Sequence, residues 1–262
     1  MNTFSSSAPG TIKTIVAGIA TLLWPTAASA QLQVLISGGF SGAYEQLLPE
    51  FERETDIKVT TGSGSSQGAG PQTIGAQLAR GVPADVVILS REGLNELIAA
   101  NRIAAGSDVD LARAPLGVAV RAGAPKPDVS TVEAFKQIVL KAKTIAIPAS
   151  TGGIWLMKDV FPRLGIAERI NVKMTPRGAG ATGMVAAGEA DLAILPVSEI
   201  FHASGVDFAG TIAREIQLDQ VFSGAIVAGS QETKNASRLI QFLASTHASA
   251  AIRKSGMEPL AR

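Results

Sequence analysis

From residue 32 onward, short apolar runs rich in β-branched residues alternate with longer amphipathic ones, and few residues separate them. Strand-like runs are LQVLIS (32–37), IKVTTG (57–62), ADVVILS (84–90), LGVAVR (116–121), TIAIPA (144–149), NVKMTP (171–176), DLAILP (191–196) and GAIVAG (224–229). Helix-like runs fall at 42–54, 73–81, 92–103, 131–142 and 153–165, with a final one at 236–245. Continuous apolar strands joined through helices predict an α/β chain whose mainly parallel sheets are covered on both faces. In YEQLLPEF, Leu47, Leu48 and Phe51 share one stripe while Glu45, Glu50 and Glu52 turn away, and Pro49 interrupts the pattern. Ser130-Thr131-Val132-Glu133 reads as a capping box opening the 131–142 helix.

Two segments read as crossings between halves: LARAPLGVAVRAGAPKPD (111–128) and DQVFSGAIVAGSQETKNA (219–236). A chain that leaves one α/β unit, builds a second and returns makes two lobes joined by two strands. The expected division is 31–115 plus 227–262 for one lobe and 116–226 for the other, with hinges at 113–118 and 222–227. Ligands of such folds sit beyond the carboxyl ends of the strands, where loops of both lobes meet.

Residues 1–30 read as a secretory leader. Lys13 is the only charge, TIVAGIATLLW (14–24) is an apolar core too short for the ~20 residues of a bilayer span, and Ala28-Ser29-Ala30 forms a cleavage site. Cleavage after Ala30 and a periplasmic protein are expected. Removing Lys13 leaves 22 basic and 22 acidic residues, so no global field recruits nucleic acid, and 5% aromatic content offers little for base stacking. With no cysteine, two histidines and no acidic cluster, neither a disulfide framework nor a metal centre is expected, and no cofactor.

Four stretches that follow strands carry small or polar residues. In SGGFSG (37–42), Ser37, Gly38, Gly39, Ser41 and Gly42 could form a tight turn, a helix cap, or a bed of N–H groups for an anion; three glycines and two serines favour the last. GSGSSQGAGPQ (62–72) holds Ser65 and Ser66 in a G-x-S-x-G pattern, but only His202 and His247 are available as partners, so a ligand-clamping loop is the stronger reading. TPRGAGATG (175–183) satisfies G-x-G-x-x-G from Gly178, yet the next acids, Glu189 and Asp191, come far too soon for a dinucleotide site. Arg177 beside it reads either as a fork for a carboxylate or as a surface arginine. In PASTGGIW (148–155), Thr151 and Gly152 could cap a helix or admit a ligand to the backbone; Arg91, after ADVVILS, is equally a site or a solvated residue. Serines, threonines, glycine amides and arginines together suit a compact, multiply charged anion.

VLISGGFSGAYEQLLPEFERET, QLARGVPADVVILS (77–90), PASTGGIWLMKDVFPRLGI (148–166) and GEADLAILPVSEI (188–200), in that order, resemble the molybdate-binding branch of bacterial periplasmic solute-binding proteins. The resemblance spans the whole chain after residue 30 and implies the type II two-lobed fold. Gly39 stands where the molybdate readers carry a serine, and Pro196 where they carry a tyrosine, so their oxyanion pocket is not reproduced residue by residue. Within that superfamily the resemblance implies an exported enzyme that interconverts trans- and cis-aconitate by a 1,3-allylic proton shift. The other expectation is a carrier that delivers a di- or tricarboxylate, or a molybdate-like oxyanion, to an ABC permease. The enzyme requires a general base near neutrality; Tyr44, Glu45, Glu199 and His202 are the candidates.

Overall fold

The computed structural model describes residues 1–3 and 31–260. The expected leader core and cleavage site therefore lie outside the described residues. Strand β1 (Gln31–Ile36) runs into helix α1 (Gly38–Thr55), followed by β2 (Lys58–Ser63), α2 (Ile74–Ala79), β3 (Val86–Ser90) and α3 (Arg91–Ala99). Strand β4 (Val109–Ala114) is separated from β5 (Leu116–Arg121) by Pro115 alone. Then come α4 (Val132–Lys141), β6 (Ile145–Pro148) and α5 (Thr151–Trp155), which continues through a π-helical turn (Leu156–Val160) into α6 (Phe161–Arg163). The chain proceeds through β7 (Val172–Thr175), α7 (Gly178–Ala187), β8 (Leu192–Pro196), α8 (Val197–Ile200) and β9 (Val206–Thr211). Strand β10 (Gln220–Ile226), α9 (Thr233–Leu243), α10 (Ser249–Lys254) and β11 (Glu258–Pro259) complete it.

Two sheets result, in the orders β11-β4-β10-β3-β1-β2 and β7-β6-β8-β5-β9. Pairing is parallel among β2, β1 and β3 and among β7, β6 and β8, as strand–helix alternation demands. Strands at the crossings pair antiparallel: β10 with β3 and β4, β5 with β8 and β9. The first sheet is covered on one face by a cluster containing Leu32, Phe40, Tyr44, Phe51 and Leu239, and on the other by Leu35, Ile74, Leu89 and Leu94. Val118, Phe135, Ile147 and Phe161 cover one face of the second sheet, Ala181, Val185 and Leu195 the other.

Strand β10 belongs to the first sheet, so the return crossing comes seven residues or more before the expected boundary at 226/227, and residues 222–226 lie within that strand rather than in a hinge. Asp219 and Gln220, polar residues at the entry to the apolar run, hid the start of that strand. Gln217 closes the second crossing onto the first: its Oε1 accepts from Leu116 N at 2.7 Å and its Nε2 donates to Leu116 O at 3.0 Å.

Helix α1 starts four residues before the expected 42, so SGGFSG is the first helical turn and not a loop. Glycine is poor in helices, by ~1 kcal/mol each, but here bare Cα atoms are required. A Cβ on Gly39 would collide with the Phe222 ring, and one on Gly42 with the His202 imidazole.

Candidate active site

Residues that follow the carboxyl ends of the six parallel strands converge between the two sheets. Ser37 follows β1, Gly64 to Ser66 follow β2, Ser90 ends β3, Pro148 ends β6 with Ser150 to Gly152 after it, Arg177 and Gly178 follow β7, and Pro196 ends β8 with Glu199 after it. Apart from Ser90, members of each group line one small cavity of about 20 Å³, completed by Gln220 and Phe222 of β10. That is room for about one water, so a substrate is admitted only when the two halves part.

Three helices aim their N-termini into this space: α1 at Gly38, α5 at Thr151 and α7 at Gly178. None is capped by its own side chain, although Ser37 and Ser150 stand in cap positions. Helices α2, α3 and α4 are capped, by Thr73, Ser90 and Thr131. Uncapped N-termini leave N–H groups and the positive ends of three dipoles for an anion. Two buried cavity-lining side chains also lack partners: the Ser37 hydroxyl and the Gln220 amide oxygen. A buried polar atom left alone is costly, which marks both as contacts for something bound there.

Hydrogen bonds span the cleft. Thr151 Oγ1 pairs with Ser90 Oγ at 2.7 Å and donates to Gln67 Oε1 at 2.8 Å, while Gln67 N donates to Ser150 Oγ at 3.3 Å. Arg177 Nη1 donates to Ser63 Oγ at 2.8 Å, tying the loop after β7 to the end of β2. Ser66 Oγ accepts from Ser90 N at 2.9 Å and so fixes the second loop against β3.

Glu199 is the carboxylate of this cavity. A Cβ on Gly38 or on Gly178 would collide with its Oε2, so the carboxyl lies between the starts of α1 and α7. Burial pushes its pKa up from 4.5 to about 7, and the Arg177 guanidinium acts against that rise. It is therefore half-ionised near neutrality, where a general base works best.

The other three base candidates lie elsewhere. Tyr44 is a buried residue of α1, shares a 2.8 Å hydrogen bond with Thr61, and has its pKa pushed up to about 12 by burial. Glu45 and His202 line a separate open groove with Ser41 and Gly42; His202 Nε2 pairs with Ser255 Oγ at 3.0 Å. Ser41 turns back to donate to Gly38 O at 2.8 Å. Arg91 is held by Asp108 and Asp110 and does not line the cavity, which corrects its expected place in the site. The remaining expected residues, Ser37, Gly38, Gly39, Ser65, Ser66, Thr151, Gly152, Arg177 and Gly178, do line it. Sequence reasoning missed Gly64, Ser150, Gln220 and Phe222; Gln220, a lone amide just ahead of an apolar strand, was the readable signal among them. Among the described residues no group of three or more His, Cys, Asp or Glu could hold a metal, and no helix is long and apolar enough to cross a membrane.

The profile of the bacterial extracellular solute-binding proteins matches residues 32–258. The chain belongs to that family. This solute-binding protein is 39% identical over 230 residues to an aconitate isomerase from Pseudomonas sp, an alignment covering 87% of this chain and 88% of the relative. Its fold is that of the periplasmic molybdate-binding protein of Azotobacter vinelandii (TM-score 0.66, 22% identity, covering 86% of this chain and 98% of that one). The sulfate-binding protein of Mycobacterium tuberculosis H37Rv is similar too (TM-score 0.69, 19% identity, 88% and 87% covered). The solute-binding fold thus carries, between its two sheets, a site of helix N-termini with a carboxylate of raised pKa inside it.

Proposed function

We propose that this protein interconverts trans- and cis-aconitate, with Glu199 as the base that moves the proton. The observation that carries the reading is a carboxyl of pKa about 7 between two helix starts, in a chain 39% identical to an aconitate isomerase. Aconitate has three carboxylates, and the cavity has three uncapped helix starts and Arg177 to meet them. Glu199 takes a proton from the substrate methylene and becomes neutral. The electron pair left behind spreads over the three-carbon allylic unit and its carboxylate, where fixed N–H donors stabilise it. Glu199 then returns a proton to the carbon at the far end, and the double bond has moved with nothing else gained or lost.

A carrier that hands its anion to an importer is the second reading, favoured by the cleft-spanning hydrogen bonds at Ser90, Thr151 and Arg177, which suit simple enclosure. Incubation with trans-aconitate, followed by proton NMR, separates the two: cis-aconitate should form at a rate proportional to protein. Tight binding without conversion would leave the carrier. In either case we place the protein in the periplasm after cleavage at Ala30. That reading gains support from the match to extracellular solute-binding proteins, which begins at residue 32, just after the Ala-x-Ala site. N-terminal sequencing of the exported protein should begin at Gln31, and a retained leader would refute it.

A further inference from the structure

Gly38, Arg177 and Glu199 line two spaces at once: the cavity, and a groove of about 370 Å³ on the other side of the Glu199 carboxyl. The carboxyl is therefore part of the partition between them. On the cavity side, hydrogen bonds from Gln67, Ser90 and Arg177 bridge the two halves across the cleft. The groove side is open and polar, bordered by Ser41, Glu45, Thr182, Ser198 and His202. Ser198 is 3% exposed and its hydroxyl has no protein partner, so the groove wall contains a group that calls for water.

We propose that this groove is the solvent port of Glu199, through which the carboxyl exchanges its proton with water while the substrate stays enclosed. The inference rests on the proposed isomerase reading. In D₂O, Glu199 removes a hydrogen from the methylene, the acid proton is traded for a deuteron across the groove, and that deuteron is delivered to the far allylic carbon. The product gains one deuterium and the solvent gains the displaced hydrogen. If exchange instead waits for the cleft to open, an enclosed turnover returns the same hydrogen.

The test narrows the groove without touching the cavity. Gly183 of α7 borders the groove, has no neighbour within 4 Å of where a Cβ would stand, and does not line the cavity. Replacing a helix-interior glycine also favours the helix, which guards against simple unfolding. Gly183→Leu and Gly183→Trp are compared with Gly183→Ala and wild type in D₂O, reading turnover and the deuterium at the new methylene of cis-aconitate by NMR. Wild type and Gly183→Ala should carry solvent deuterium in most product molecules. The two bulky variants should lose several-fold of that label while keeping turnover within about twofold. Equal label in all four, or wild-type product without deuterium, overturns the port but leaves the isomerase intact. Absence of any conversion by wild type overturns the isomerase reading, and the port with it.

Discussion

Glu199→Gln should lower kcat for aconitate isomerisation by at least about 100-fold, the range for a lost general base. Glutamine keeps the shape of the side chain between Gly38 and Gly178 but cannot accept the proton. The same substitution should report on pH. In the wild type, kcat/KM rises with pH to a plateau above about 7, because the base must be ionised and its pKa is raised to that value. A bound anion disfavours the second negative charge further, so the kcat profile should have its midpoint at higher pH than the kcat/KM profile. Stability moves the other way. The folded state holds a proton on Glu199 that the unfolded chain has already released above 4.5, so this carboxyl costs the fold stability as pH climbs from about 4.5 to 7, and no more beyond. Glu199→Gln should therefore unfold at higher temperature than wild type at pH 8, with the gap closing by pH 4.5. A flat pH–rate profile with unchanged kcat would remove Glu199 from the chemistry.

Arg177→Ala should weaken aconitate binding by about 2 kcal/mol, roughly 30-fold, the low end of the range for losing one partner of an interfacial charge pair because the side chain is only half-buried. Two further readouts distinguish a role at the ligand from a merely structural one. The guanidinium holds the Glu199 pKa down, so its removal should move the kcat/KM midpoint upward. Arg177 also bridges to Ser63 at the end of β2, so Ser63→Ala serves as the control that loses the bridge and keeps the charge. If Arg177→Ala and Ser63→Ala weaken binding alike with no shift in pH midpoint, the arginine is a latch and not a ligand group.

The parallel parts of the fold were legible because each strand is a dense apolar run: VVILS and LAILP are buried at every position. The crossing strands were harder to read. VDLARA of β4 mixes charge with small residues because only some of its positions reach the core, and β9 is nowhere fully buried, so neither carries a strong period. Helix starts at the site were misplaced for a physical reason. Gly38, Gly39, Gly152 and Gly178 lower helix propensity, and their purpose, room for Glu199, Phe222 and Leu116, exists only once distant segments are folded together. The glycine stretch SGGFSG is a helix start whose N-terminus points at the cavity. Glu199 was one of four possible bases by sequence; only its position beside two glycines from different helices, and Tyr44 and His202 being engaged elsewhere, separates it from them. Arg91 could not be discounted without seeing Asp108 and Asp110 folded back onto it.

The paired hydrogen bonds between Gln217 and the Leu116 backbone bear on how the molecule swings. Two independent connectors would let the halves shear and twist separately. Connectors riveted side by side bend as one leaf, so the permitted excursion approaches rotation about a single axis. Closure about that axis would carry the second-half groups, Thr151, Gly178 and Glu199, together toward Gly38, so that an entering anion would meet the whole set of donors at once.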